Sequence, residues 1–598
     1  MTPDPKTPSP ANGGIGDNEG EVTEEMGQRA EAETEAPAPT DDADTAAALR
    51  GALVQLGFVA FDDGAEGNAT VSAMVSEERR RHFRRDVYVG IKDEEQRKEF
   101  LGRVVEGPFH APHEVSADSA ITRTTVLHPE RTRFRPTYYV YGTLEILGEV
   151  VAEERVIPSS TRPRPYSEIY VFPEDRLREM LGITGDFYLG NLMGYSRVAV
   201  HADVTLKNFL PRNVGVFGTV GSGKSNTTQV LAEEALDAGW AVVVIDVEGE
   251  YVRMNEATAD AGMVRLLTTE FGLDPRGVPD FRVYVPSSGA TDAQAPIPFK
   301  VPISVLQPEL VADILEFTEP QVRMFDRISD LASRQARGGG AGRRGVLAGQ
   351  ASGAHVRPYT LQTLIDGLAE DAQGNFPLVP NIAQTERPTA GTLRWKLFHL
   401  GRSGMLDWND TAQVAELPLD DLLVGGRLSV LDASETDDRS RNIAIAYTLQ
   451  TLFERVIDTP LGARMPSGGS RPRLLVIIEE VHTFVSRAAA PKMRSVIDNL
   501  QIISRRGRKR WMALALVSQQ PSHVPDELFE LVNTRFIHQL KSIANLQPVK
   551  ATTGGVHEAL WTTVPALGPG QCLVSGAVFR NPIFVNIRPA RSRRLLVG

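Results

Sequence analysis

An α/β protein with a nucleotide-binding core, a helical insertion, a small β-barrel ahead of the core and a disordered acidic tail is what this 598-residue sequence predicts. Three observations carry the prediction. Gly218, Gly223, Lys224 and Ser225 meet the pattern G-x-x-x-x-G-K-[ST], between an apolar strand at 214–217 and a helical run through Leu231 and Ala235. A second buried-strand run, residues 471–484, ends in the paired carboxylates Glu479 and Glu480. From about residue 53, short apolar strands broken by turns read as a barrel.

Taken in order, residues 1–46 are rich in Pro, Gly, Ala, Thr and acid, with few large apolar side chains, so they cannot offset the entropy of ordering and are expected to be disordered. The barrel is expected over 47–157, with strands at 54–61, 87–91, 102–105 and 138–147. Residues 158–202 open on the Pro-rich string PSSTRPRP and read as a linker and connecting segment. The first part of the core spans 203–290, with strands at 214–217, 241–245 and 281–285. A helix-compatible insertion over 291–410 contains a Gly/Arg-rich loop at 334–353. The second part, 411–560, has strands at 428–431, 474–478 and 512–517 and a helix at 492–504, whose Val496, Ile497, Leu500 and Ile503 fall at helical spacing. Residues 561–598 form a C-terminal strand and brace segment.

Composition narrows the class. No apolar stretch approaches the roughly 20 residues that span a bilayer, and no leading basic-then-apolar segment reads as an export signal, so a cytoplasmic protein with no membrane partner is expected. The lone Cys572 excludes an intrachain disulfide and a multi-cysteine metal site. The net charge of −12 is uneven, since residues 1–46 hold twelve Asp and Glu against Lys6 and Arg29. A body near −2 can carry basic faces, so acidity does not exclude a nucleic-acid partner.

The loop residues Gly218, Thr219, Val220, Gly221, Ser222, Gly223, Lys224, Ser225 and Asn226 would curl backbone N–H groups around the polyphosphate of ATP, at the positive end of the following helix. Lys224 would bridge the β- and γ-phosphates and the Ser225 hydroxyl would bind Mg²⁺. Two carboxylates suit two tasks: Glu479 holding Mg²⁺ through water and Glu480 polarising the attacking water. Gln519, ending the strand at 512–517, is either a sensor of the γ-phosphate or a turn residue before Pro521. Arg505, Arg506, Arg508, Lys509 and Arg510 fit an arginine that reaches a neighbouring subunit's nucleotide, phosphate contacts on DNA, or a solvated cluster; Arg212 is a second choice for the first role.

The set GTVGSGKSN, VVVIDVEGEY, IIEEVHTF, GRKRW and VSQQPS resembles the HerA family of DNA-translocating ATPases over all but the acidic tail. The resemblance implies a HAS-barrel, a RecA-like core related to FtsK motors and a homohexameric ring pumping double-stranded DNA. It implies that Lys224, Ser225, Glu479 and Glu480 form the nucleotide motifs, Gln519 the sensor and Arg508 the trans-acting arginine, with Asp246 and Glu250 in the family's D-x-x-G-E-Y signature. It also implies a NurA-like nuclease as partner in DNA end resection and double-strand break repair. Related motors serve phage-defence or conjugation systems with other effectors, and a ring that binds nucleotide only for assembly is a further alternative. Lys492 and Arg494, then Arg343 and Arg344, are the positions considered for the ring lumen.

Overall fold

The computed structural model describes residues 54–595, apart from 62–68, 113–115, 117–118, 129, 131–136, 152–154, 288, 339–358, 409–414 and 467. The expected tail, Arg343 and Arg344 lie outside the described residues. Among those described, no helix is long and apolar enough to cross a membrane.

Seven antiparallel strands come first: β1 (Gln55–Val59), β2 (Thr70–Val75), β3 (Tyr88–Asp93), β4 (Lys98–Pro112), β5 (Tyr138–Val151), β6 (Arg155–Ile157) and β7 (Glu168–Val171). Their order, β2-β1-β7-β3-β4-β5-β6 with β2 also paired to β5, closes six strands into a barrel and leaves β6 on its rim. Alternate side chains such as Leu56, Val71, Ile91, Phe100 and Ile169 fill the interior, each fully buried apolar side chain contributing about 1.5–3 kcal/mol.

The barrel therefore runs past the expected boundary at residue 157, because β7, inside the supposed linker, is the stave between β1 and β3. The Pro-rich string before β7 is tied down: Arg164 pairs with Asp93 at 3.0 Å and Arg162 donates to the Thr70 carbonyl at 2.6 Å. Hydrogen bonds of this kind replace the strand ladder that proline cannot make.

Twelve further strands form one sheet: β8 (Phe187–Leu192), β9 (Ala199–Ala202), β10 (Val214–Phe217), β11 (Ala241–Asp246), β12 (Phe281–Pro286), β13 (Pro296–Phe299), β14 (Leu428–Asp432), β15 (Leu474–Ile478), β16 (Met512–Ser518), β17 (Thr534–Ile537), β18 (Gln571–Ser575) and β19 (Ile583–Ile587). Their order is β13-β12-β14-β11-β15-β16-β10-β17-β18-β19-β8-β9. The eight strands from β13 to β17 run parallel, and β18, β19, β8 and β9 continue antiparallel. Burial on both faces explains why AVVVID and LLVII read as uninterrupted apolar runs.

Two more boundaries move. The core sheet includes β8 and β9, ahead of residue 203, and β13 extends it into the segment expected to be helical. The described remainder of that segment carries the helices Pro308–Ile314, Glu319–Gly338, Leu361–Gly367 and Arg387–Gly401, packed in one core with Asp438–Asp458 and Arg494–Gly507; the second of them takes in residues 334–338 of the expected loop.

Polar anchors fix the barrel on the core. Buried Arg103 on β4 bonds Glu145 at 2.5 Å and the Pro582 carbonyl at 2.8 Å. Arg85 donates to the Ala559 carbonyl at 2.9 Å and to Thr562 Oγ1 at 3.0 Å. The Tyr88 N–H donates to the Tyr195 hydroxyl at 2.9 Å.

Candidate nucleotide-hydrolysis site

Parallel strands deliver their C-terminal ends to one edge, and that edge gathers the loop after β10, Asp246 at the end of β11, Glu479 and Glu480 after β15, Gln519 after β16 and His538 after β17. The helix Lys224–Asp237 starts directly from the loop.

The glycines divide their tasks. A Cβ on Gly218 would stand 2.5 Å from Ser222 Oγ and 2.6 Å from His538 Cβ, and one on Gly223 would stand 2.7 Å from the Gly570 nitrogen. Those two are required by the protein's own packing. Gly221, at φ +75°, faces open space and is required by its backbone conformation. The Thr219 N–H donates to the Gln539 carbonyl at 2.9 Å and the Gly570 N–H to the Ser222 carbonyl at 3.0 Å, while Val220 projects from the loop's exposed tip.

His538 lies beneath the loop, fully buried, and burial pulls its pKa down to about 3. Neutral imidazole must then donate from Nδ1 to the Gln571 carbonyl (2.9 Å) and accept at Nε2 from the Thr227 hydroxyl (2.9 Å).

Lys224 is buried and makes no ion pair among the described residues; desolvation lowers its pKa against the pull of Glu480, Glu479, Glu248 and Glu250. A desolvated ammonium with no salt-bridge partner fits a polyphosphate. Glu479 is buried and accepts a hydrogen bond from the Tyr251 hydroxyl; burial pushes its pKa up to about 8. Glu480 adopts φ 42°, a left-handed conformation costing about 1–3 kcal/mol for a non-glycine residue. Its Oε2 accepts the backbone N–H of Gln519 at 3.0 Å and lies 3.1 Å from His482 Nδ1. The Gln519 amide itself donates to Glu248 at 3.4 Å, and Glu248 has a raised pKa from burial and from Glu480.

Among the described residues no three His, Cys, Asp or Glu side chains cluster as a metal cage. That donor set suits Mg²⁺ held by Ser225, by phosphate oxygens and through water by Glu479, since this ion keeps waters and takes few protein ligands.

Asp246 has a different task from nucleotide contact. It is fully buried, with Oδ1 accepting the N–H groups of Glu248 (3.1 Å) and Gly249 (2.8 Å) and Oδ2 that of Tyr251 (2.8 Å), which folds the loop that aims Tyr251 at Glu479. Burial raises its pKa to about 7. Glu250 lines the cavity and stands 3.5 Å from Arg594. Sequence reasoning passed over Tyr251, Glu248, His482 and His538; the first two lie inside the D-x-x-G-E-Y string and His482 inside IIEEVHTF, but His538 lies in no quoted motif.

The C-terminal segment braces the helix after the loop. Fully buried Arg588 pairs with Glu233 at 2.9 Å and Glu234 at 2.7 Å, the N–H groups of Arg591 and Ser592 donate to Glu233, and Asn226 donates to the Arg588 carbonyl at 2.8 Å.

Arg212 precedes β10 while Arg505 and Arg508 precede β16, so all three sit at the sheet edge opposite the loop and cannot serve this chain's own nucleotide. The turns Leu210–Arg212 and Arg508–Arg510 lie against each other. Arg505, Arg506, Lys509 and Arg510 line a cavity of about 400 Å³ with Ile457. Buried Arg471 donates to the Arg510 carbonyl at 2.7 Å and leaves Nε and Nη1 without partners, and no ion pair to a carboxylate occurs at Arg471, Arg505, Arg508 or Arg510 among the described residues. Lys492 precedes the helix expected to start there, which begins at Arg494; Lys492 stands 3.6 Å from Glu316, and Arg494 lies 3.5 Å from both Asp498 and Glu527. Acids therefore compete with any DNA phosphate at both positions.

A cavity of about 1240 Å³ opens over Gly221, Gly223, Lys224, Ser225, Asn226 and Gln519. Residues 187–452 match the family model described as Helicase HerA, central domain. The DNA double-strand break repair helicase HerA of Pyrococcus furiosus is 22% identical over 486 residues, covering 75% of this chain and 77% of that protein. The protein of the same name from Sulfolobus acidocaldarius is 20% identical over 407 residues, covering 67% and 69%. Among solved structures, VirB4 of Thermoanaerobacter pseudethanolicus superposes with a TM-score of 0.43 at 15% identity, over 67% of this chain and 96% of that one.

Proposed function

Because the chain belongs to the HerA family and is an ATPase, we propose that it forms a homohexameric, Mg²⁺-dependent motor that translocates double-stranded DNA. The observation that carries the reading is the meeting of Lys224, Glu479, Glu480 and Gln519 at one sheet edge, with Glu480 bonded to the Gln519 backbone.

In this reading Lys224 binds the β- and γ-phosphates and Glu480 orients the attacking water by accepting its hydrogen bond. Bound Mg²⁺ would neutralise phosphate charge, held by Ser225 and through water by Glu479. Loss of the γ-phosphate changes the contacts of Gln519, whose backbone N–H bonds Glu480 and whose amide bonds Glu248 in the loop after β11. Arg508, with Arg505 and Arg212 beside it, reaches the nucleotide of the adjoining subunit; their place opposite the chain's own loop supports a role in trans. DNA moves only if its contacts differ between the ATP and ADP states.

The relatives are named as double-strand break repair helicases, which supports a role in that repair; the family resemblance of the sequence motifs extends the proposal to DNA end resection with a NurA-like nuclease. The barrel offers such a partner a face. Phe58, Met74, Tyr141 and Phe109 are exposed and lie opposite one another across β1, β2, β5 and β4, a continuous apolar row.

Duplex-stimulated ATP hydrolysis tests the reading. The intact protein is expected to turn over and to accelerate with duplex DNA, with Lys224→Ala and Glu480→Gln inactive; unchanged turnover in both variants would reject the site.

A further inference from the structure

The nucleotide cavity is not made by the core alone. From the first turn of the helix after the phosphate loop, its wall can be followed contact by contact to the barrel. Asn226 bonds the Arg588 carbonyl and the Ala590 N–H, each at 2.8 Å. One residue after β19's Asn586 comes Ile587, and Asn586 pairs with Asn191 on β8. Asn191 donates to the Ser196 carbonyl at 3.3 Å, and neighbouring Tyr195 accepts the Tyr88 N–H of barrel strand β3.

On this wall two arginines face the cavity, Arg197 from the β8–β9 turn and Arg84 from the barrel. Neither forms an ion pair among the described residues. Met263, Leu266 and Phe271, from and just after the helix Ala261–Glu270, supply apolar surface to the same cavity.

Arg84 is held in place by its neighbours. Phe83 is fully buried in the barrel core, Arg85 clamps onto Ala559 and Thr562, and buried Asp86 donates its N–H to the Val104 carbonyl at 2.8 Å. A rigid mount lowers the entropy cost of using the side chain in binding. With the phosphates at the loop, the cavity gives the nucleoside of a bound nucleotide room along the wall that begins at Asn226. An uncommitted, planar guanidinium there can stack on a purine or donate to a ribose.

We propose that Arg84, reaching across from the barrel, closes over the nucleoside of bound ATP beside Arg197, so that the barrel is itself part of the nucleotide site. This rests on the ATPase reading above. Its consequence is that a filled site holds the segment 83–87 more firmly than an empty one.

The test uses the full chain and compares ATP with inorganic tripolyphosphate, which has no nucleoside. Arg84→Ala is expected to raise the KM for ATP about 5- to 30-fold, the range a contact of about 1–2 kcal/mol gives, with kcat within about twofold and tripolyphosphate inhibition unchanged. Arg84→Lys, which keeps the charge and loses the planar fork, is expected to restore only part of the KM. ATP is expected to slow amide exchange at 83–87 in the intact protein and not in Arg84→Ala. An unchanged KM, or equal weakening of ATP and tripolyphosphate, would overturn the proposal. Absence of hydrolysis in the intact protein would instead sink the ATPase reading on which it stands.

Discussion

Glu480 Oε2 accepts the backbone N–H of Gln519 at 3.0 Å, so the carboxylate after β15 and the residue that follows β16 share one hydrogen bond. The bond uses the backbone of Gln519 and leaves its amide for Glu248 and for ligand. Glu480→Gln keeps the shape of this contact and removes the charge. Turnover is expected to fall by about 100- to 10,000-fold with nucleotide affinity and melting temperature preserved, as read by steady-state hydrolysis beside equilibrium binding.

Tyr251 donates to Glu479 from the loop that Asp246 folds. Tyr251→Phe leaves a buried carboxylate short of a donor and is expected to cost about 1–3 kcal/mol in chemical denaturation. It is also expected to raise the Mg²⁺ concentration needed for half-maximal hydrolysis, since Glu479 loses its orientation.

Stability should depend on pH without nucleotide. Asp246 and Glu479 have pKa values raised to about 7 and about 8, so on raising the pH the unfolded chain releases these protons first and the native state is progressively destabilised, up to about pH 8. His538 acts oppositely: its pKa of about 3 means that stability is lost as pH falls below 6.5. Of these three groups, the carboxylates dominate between pH 6.5 and 8, and the urea midpoint is expected to decline there. Asp246→Asn should flatten that decline; an undiminished slope would remove Asp246 as its source.

Arg588→Ala takes from the buried carboxylates Glu233 and Glu234 their shortest ion pairs and leaves them only Arg591, at 3.3 and 3.7 Å, so it is expected to destabilise the protein by up to about 3–5 kcal/mol. A double-mutant cycle with Glu233→Gln should recover part of that loss, because the second substitution removes one of the two charges that would then depend on Arg591 alone.

Mixing Arg508→Ala chains with Glu480→Gln chains should restore partial hydrolysis at mixed boundaries, each variant supplying the group the other lacks. No restoration at any ratio would count against Arg508 acting in trans.

Legibility followed the physics of each segment. β10 and β15 coincide with the strands expected at 214–217 and 474–478, because strands buried on both faces spell uninterrupted apolar runs. β7 is four residues long behind a Pro-rich string, and β17 hides behind its buried Arg535, whose guanidinium is satisfied by the Phe529 carbonyl and Thr552. The phosphate loop and the glutamate pair are local strings and could be recognised as such. The contacts that organise them are not local: Tyr251 meets Glu479 across 228 residues and Thr227 meets His538 across 311. Only the closed sheet brings those partners together, and no periodicity records it.

The brace formed by Arg588 has a consequence for biosynthesis. Glu233 emerges from the ribosome 355 residues before the arginine that neutralises it. At about 5–20 residues per second, the helix that follows the phosphate loop waits roughly 20–70 s for its counter-charge. During that interval a nascent chain is expected to hold ATP poorly, and the motor is expected to become competent only as its last strands are delivered.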